Sequence, residues 1–247
     1  MLPSTLQMSQ EALSGFVFFR KISRKYRIYG RMLHTAERNA NSWSTLSLYE
    51  TFISGTIEFM SKRIVNLVYE LVDAAAKNPK NIFQYSAFPN HILVVQKFAK
   101  LLANKLGADE EICELAALFH DYASLLGKEY VEKHQEHGAK LAKDFLITHG
   151  YPEEKAKAVA YCVSVHRGST RLEKKTLESK ILASADAMAH IDNITSVIHL
   201  AYGIHQYDTE EGAKWVLKKL ARSWDKLMPE AKKLIQKKYN AIQLSLS

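Results

Sequence analysis

The adjacent pair His120-Asp121 ends the apolar run from Glu111 to Phe119, so an imidazole and a carboxylate leave a helix at one point. Such a pair is the beginning of a metal site. An Asp closing so apolar a helix costs several kcal/mol if it is buried without a partner. His91 stands upstream at the head of one helical pattern. His134, His166 and Asp186 stand downstream, each at or near the apolar stripe of a different helix. At 100° per residue His134 shares a face with Gly138, Leu141 and Phe145, and His166 lies within about a third of a turn of Val159 and Val163. Asp186 sits inside Ile181-Leu182-Ala183-Ser184-Ala185-Asp186-Ala187-Met188-Ala189, a run with no cation of its own. A carboxylate there needs a metal, a hydrogen-bond network or solvent.

The elements that carry these residues read as helices. Ile64, Leu67, Val68, Leu71, Val72 and Ala75 follow helical spacing and stop before Asn78-Pro79. Ile92, Val95, Ala99, Leu102 and Leu106 form a second stripe that closes at Gly107. Asp109 is placed to cap a third helix whose first turn holds Glu110 and Glu111, as the helix dipole favours. Ile112, Leu115, Ala116, Leu118 and Phe119 make that helix apolar almost all round and therefore central. A fourth is expected from about Glu129 to Thr148, with Tyr130, Leu141 and Phe145 inward. Pro152 with two glutamates opens a fifth, Thr176 caps a sixth, and Ala213 to Leu227 makes a basic amphipathic seventh before Pro229. On that last stripe Trp224 joins Val216, Leu220 and Leu227, while Trp215 projects to the other side. Strand signals are nearly absent, so the fold class is all-α.

The chain has 247 residues, 47% of them hydrophobic, enough for one sizeable core. Residues 1–59 show no sustained period and read as an N-terminal extension, leaving 60–247 as the helical domain. Met60-Ser61-Lys62-Arg63 runs straight into the first clean helix, which makes Met60 a candidate start. Cys113 and Cys162 lie in apolar segments without paired spacing and read as buried thiols in a reducing compartment, the cytoplasm. Nothing early in the chain reads as a signal peptide, and Asn193 to Tyr207 is too short and polar to span a bilayer. The net charge of +8 is concentrated in residues 20–38 and from Lys214 to Lys238. It reads as a solvated face that would also attract anionic partners. No nucleic-acid recognition motif accompanies it, and oligomeric state leaves no trace in the sequence.

Four ordered blocks resemble the HD-domain superfamily of metal-dependent phosphohydrolases: His120-Asp121, His134-Gln-Glu-His-Gly-Ala, Val165-His166-Arg167-Gly168-Ser169, and Ala185-Asp186-Ala187-Met188-Ala189-His190. The resemblance covers residue 85 to about residue 205. It implies an HD-domain helical bundle and one or two divalent transition metals (Mn, Fe, Co, Ni or Zn). The first metal would be held by His91, His120, Asp121 and Asp186, with Asp121 bridging to a second held by His134 and His166. Neutral imidazoles and carboxylates without thiolate suit such ions. Asp121 is then the expected catalytic residue, positioning a hydroxide made nucleophilic by the metal, and two ions about 4 Å apart clamp a phosphoryl displacement. The substrate implied is a small phosphorylated metabolite or nucleotide. Arg167, His137 and His190 are the candidates to contact it, Arg167 because a guanidinium fork matches phosphate oxygens.

Two positions depart from the family pattern. Many relatives carry a lysine three residues after the Asp of the doublet, where this chain has Ser124, with Lys128 further on. Many also carry a second Asp two residues before the last ligand, where this chain has Ser184. Two other functions share the same pattern: a di-iron oxygenase, since six N and O ligands suit iron equally, and a non-catalytic binding module acting through the basic surface. His34, His149, His199 and His205 carry no such signal and read as ordinary surface or hydrogen-bonded histidines.

Overall fold

The computed structural model describes residues 61–168 and 172–246, and the expected extension over 1–59 and the candidate start at Met60 lie outside them. Helix α1 occupies 61–76 and buries Ile64, Val68, Val72, Ala75 and Ala76. Buried Asn81 organises the loop after it. Its Nδ2 donates to the carbonyls of Ala76 (2.9 Å) and Gln84 (3.0 Å), and its Oδ1 accepts from Phe83 N at 3.0 Å. Gln84 is held there at φ 62°, a conformation disfavoured for a side-chain-bearing residue.

One wide π turn, Phe88–Ile92, contains Pro89 and His91 and leads into α2, Leu93–Leu106. Helix α2 ends at Gly107 in the left-handed conformation, φ 71°, which glycine adopts without a Cβ penalty. Helix α3, Glu110–Phe119, is capped by Asp109 Oδ1, which accepts from Ile112 N at 3.1 Å. Seven of its side chains, Ile112 through Phe119 except Glu114, are buried. The chain then breaks at His120 and Asp121 before a short α4, Tyr122–Leu126.

The expected fourth helix starts later than the sequence suggests. Gly127 breaks the chain, Lys128–Tyr130 forms a single 3-10 turn, and α5 runs from His134 to Thr148. Its fully buried line is Gln135, Gly138, Ala142 and Leu146, with Leu141 and Phe145 only partly covered. A Cβ on Gly138 would meet Val163 Cγ1 at 3.3 Å and the Phe119 carbonyl oxygen at 3.5 Å. The missing side chain therefore lets α5 approach α6, Glu153–Val165, closely.

Helix α7, Leu177–Asp192, is the central post: every residue from Ile181 to Ala189 is buried, and it packs against α2, α3, α6 and the two C-terminal helices. Thr176 caps it, its Oγ1 accepting from Ser179 N at 3.2 Å. Ile194–Ile198 forms α8 and widens into a second π stretch, His199–Ile204. The basic helix α9 begins at Thr209 because Asp208 caps it, accepting from Glu211 N at 2.8 Å, four residues before the apolar stripe reveals it. Pro229 then opens a further helix, α10, Pro229–Leu246. Ser184, the departure noted above, accepts from Met228 N at 3.0 Å and pins the α9–α10 junction to α7.

Residues from Ile64 onward form one compact unit, all-helical among the described residues. No described helix is long and apolar enough to cross a membrane. Trp224 stacks on Tyr239 at 4.4 Å, whereas Trp215 packs on His205 and Tyr207.

Candidate metal centre

The six candidate ligands meet from five segments. His91 comes from the π turn before α2, His120 and Asp121 from the break after α3, His134 from the start of α5, His166 from the end of α6, and Asp186 from the middle of α7. They fall into two groups able to hold a metal ion: His91, His120 and Asp186, and Asp121, His134 and His166. Within each group the ligand atoms lie within 4.8 Å of one another.

Asp121 faces both groups. Its Oδ2 lies 3.3 Å from His120 Nε2 and 3.5 Å from His91 Nε2, and its Oδ1 lies 3.2 Å from His134 Nε2 and 3.7 Å from His166 Nε2. Asp186 Oδ1 lies 3.4 Å from His91 Nε2. The backbone break sets this up: Asp121, at φ −109° and ψ 6°, sits in the bridge region between two helices and turns its carboxylate across the gap.

Three imidazoles are oriented by the same device. The Nδ1 of His120, His134 and His166 lies 2.7, 2.8 and 2.7 Å from the carbonyl oxygens of Ala117, Val131 and Val163, each three residues earlier. Since a carbonyl only accepts, Nδ1 carries the proton and Nε2 turns a lone pair inward whenever the ring is neutral, the tautomer a metal requires. His134 and His166 then face each other through Nε2 at 3.3 Å, and His91 and His120 at 3.1 Å. Converging lone pairs of this kind are stabilised by a cation between them, and the donor set therefore fits divalent metal.

Electrostatics follow from the packing. Burial disfavours the charged form of both carboxylates. It is outweighed at Asp121 by His120 and the other imidazoles, and at Asp186 by Lys226 and by His190 and His91. Both pKa values fall well below the usual range. Burial likewise opposes charge on His120, but Asp121 beside it raises its pKa to about 9. At His166 burial dominates and the pKa falls.

Lys226 is the residue that sequence reasoning missed here. Its Nζ is paired with Asp186 Oδ2, so the carboxylate that lacks a cation in its own segment finds one forty residues later, on α9. His190 lies one turn beyond Asp186, with Nε2 3.6 Å from Asp186 Oδ1, and stacks on His91 at 4.9 Å. Its Nδ1 is 3.2 Å from Ser223 Oγ, and burial with Lys219 nearby drives its pKa far down.

A cavity of about 400 Å³ opens beside this centre, reached by His91, Asp121, His134 and His190. Phe83, Leu125, Val131 and Leu200 give it an apolar side. Ser124 and His199 also line it, so His199 belongs to the site's surroundings despite its ordinary reading in the sequence. Two sequence candidates stand elsewhere. His137 is exposed on α5 and packs edge-on against Tyr130 at 5.3 Å, because the helix turns only its 134 and 138 side toward the centre. Arg167 donates through Nη1 to the Glu132 carbonyl and lies 3.4 Å from Gln135 Oε1, tying the end of α6 to the entrance of α5. Neither lines the cavity. Lys128 is exposed on its 3-10 turn.

Residues 89–191 match the HD domain family, so this part of the chain is an HD domain. The match begins just before His91 and ends just after His190, so it encloses all six candidate ligands. Among proteins of similar sequence are Ribonuclease Y of Alkaliphilus metalliredigens, 30% identical over 99 residues, and Ribonuclease Y of Enterococcus faecalis, 31% identical over 100 residues. Each alignment covers 40% of this chain, and 19% and 17% of those proteins. The chain thus spans less than a fifth of the curated relatives it matches. A solved structure of a predicted HD superfamily hydrolase from an uncultured Thermotogales bacterium aligns over 63% of this chain and 84% of its own, with 22% identity and a TM-score of 0.46.

Proposed function

We propose that this protein is a metal-dependent phosphohydrolase that cleaves phosphomonoesters or phosphodiesters of a small metabolite or nucleotide. The observation that carries the reading is the Asp121 carboxylate, with one oxygen facing His91 and His120 and the other facing His134 and His166. His91, His120, Asp121 and Asp186 would hold one divalent ion, and Asp121, His134 and His166 a second. Such ions supply Lewis acidity toward phosphoryl oxygens and acidify water at neutral pH.

The protein's own groups do the rest. The Ala117, Val131 and Val163 carbonyls fix three imidazoles in the ligating tautomer. Lys226 offsets the charge on Asp186 and restrains its outer oxygen, so that Oδ1 is the one turned to the centre. His190, stacked on His91 at the cavity wall, would meet substrate. Asp121 and the apolar side of the cavity limit how a phosphoester approaches.

The similarity to ribonucleases is consistent with phosphoester chemistry, while the 400 Å³ cavity is of the size that takes small molecules. The test is phosphate or alcohol release by metal-replete protein from a panel of phosphomonoesters, phosphodiesters, nucleotides and short RNA. Metal-dependent cleavage of a small phosphoester, abolished in Asp121→Ala, is the expected result. A metal-replete protein inert on the whole panel would overturn the reading, and cleavage of RNA alone would replace its substrate class.

A further inference from the structure

The lysines of α9 differ in what they meet. Lys214 pairs with Glu210 at 2.5 Å, and Lys226 is paired with Asp186. Lys219 lies seven residues before Lys226, two turns away on the same side of the helix, and lines the cavity beside the metal centre. Among the described residues no carboxylate stands within ion-pair distance of it, and its one close partner is the Trp215 ring, 5.8 Å from Nζ. The two acids nearest this region, Asp121 and Asp186, turn their oxygens to imidazoles and to Lys226.

An ammonium in a partly enclosed, half-apolar space loses hydration; here that loss outweighs the pull of Asp186 and Asp121 and lowers the Lys219 pKa, and an anion that joins the ammonium offsets it. Part of the same cavity has the opposite character: Phe83, Leu125, Val131 and Leu200 offer carbon surface with no charge. A ligand that satisfies both is an anion carrying an apolar or planar organic group. A bare oxyanion leaves the carbon surface wet, and a neutral compound leaves Lys219 unpaired.

We propose that Lys219 is the substrate-binding cation of this cavity, and that the substrate is an organic phosphate whose apolar or planar part rests against Phe83, Leu125, Val131 and Leu200. This rests on the phosphohydrolase reading for the identity of the anion. The assignment makes Lys219 a binding residue that touches the phosphoryl group or a second phosphate of the same molecule. His190 lines the same cavity as Lys219, and its Nε2 lies 3.6 Å from Asp186 Oδ1.

The probes are phenylphosphonate, whose carbon–phosphorus bond resists hydrolysis, and inorganic phosphate. Both are titrated calorimetrically into manganese-loaded full-length protein, with metal content measured for every variant. Phenylphosphonate is expected to bind more tightly than phosphate. Lys219→Met weakens both by about tenfold or more, the worth of a charge-assisted hydrogen bond, with metal content unchanged. Lys219→Arg retains most of the affinity, and Phe83→Ala weakens phenylphosphonate alone. Equal binding by wild type and Lys219→Met, equal affinity for the two probes, or no binding of either by the loaded wild-type protein overturns the proposal. Turnover of the phosphoester panel is scored separately. Lys219-dependent binding without hydrolysis retains the subsite and discards the phosphohydrolase reading, whereas hydrolysis indifferent to Lys219→Met does the reverse.

Discussion

His134 Nε2 lies 3.2 Å from Oδ1 of Asp121, and the Nδ1 of the same ring is held 2.8 Å from the Val131 carbonyl oxygen. The imidazole is thereby locked with its lone pair toward a carboxylate whose other oxygen serves a different cluster. Replacing that carboxylate by an amide keeps the shape but turns an N–H donor toward one cluster and removes the shared charge. Asp121→Asn is expected to reduce phosphoester hydrolysis by about a hundredfold or more and to lower metal content. Steady-state rates and elemental analysis of the same preparation check this. A variant with wild-type rate and metal content would remove Asp121 from the mechanism.

Lys226 and Asp186 form a pair whose side chains are only 13% and 9% exposed. Removing one partner of such a pair leaves an uncompensated charge, at a cost of about 3–5 kcal/mol. Lys226→Met should therefore destabilise the metal-free protein by about 3 kcal/mol. A bound cation would replace the lost charge, so the penalty should shrink when metal is present. Urea unfolding with and without chelator measures both values. A penalty that metal does not reduce would place Asp186 outside the metal's reach.

The pKa of His120 in the metal-free protein, about 9, is raised above its ordinary value by Asp121 against the opposing effect of burial. A raised folded-state pKa contributes stability that is fully present below the ordinary histidine value of about 6.5. That contribution is lost as pH rises through about 9. Metal-free protein should accordingly lose stability over this window. Because His120 must shed its proton to ligate, metal uptake at pH 7 should release protons, and apparent metal affinity should climb with pH toward 9. Calorimetry in buffers of different ionisation enthalpy counts the protons. Uptake with none released would exclude His120 as a ligand.

Burial pushes the Cys162 thiol up to about 12 and raises Cys113 further still. Both should resist a thiol reagent at pH 8 in the native protein and react together on unfolding, so the labelling rate becomes a probe of global stability. Rapid labelling of either in the folded state would show that α3 or α6 opens locally.

The sequence made some of this architecture readable and hid other parts, for definite reasons. Helices α3 and α7 announce themselves because they are apolar on nearly every face, and the caps Asp109 and Thr176 act locally through their own side chains. The late start of α5 was obscured because Gly127 and one 3-10 turn interrupt a pattern that composition alone continues. The wide turns at Phe88–Ile92 and His199–Ile204 have no periodic signature, yet one of them carries His91 and the other brings His199 to the cavity. Among the candidate site residues, the convergence of His120, Asp121 and Asp186 is legible because polar groups inside apolar runs demand partners. Lys226 and Lys219 are not, because a lysine on a basic amphipathic helix looks solvated until a neighbouring helix supplies the acid or the cavity. His137 and Arg167 show the converse, since proximity in sequence to a ligand places neither in the cavity. At Arg167, the Glu132 carbonyl engages the guanidinium first.

The most direct test of the central claim is elemental metal content per chain in protein purified without chelator, beside His134→Ala prepared identically. Two metals per chain, falling to one in the variant, are predicted by a centre in which Asp121 joins two sites and His134 serves only the second. One metal per chain, unchanged by His134→Ala, would contradict it and leave a single ion among His91, His120, Asp121 and Asp186.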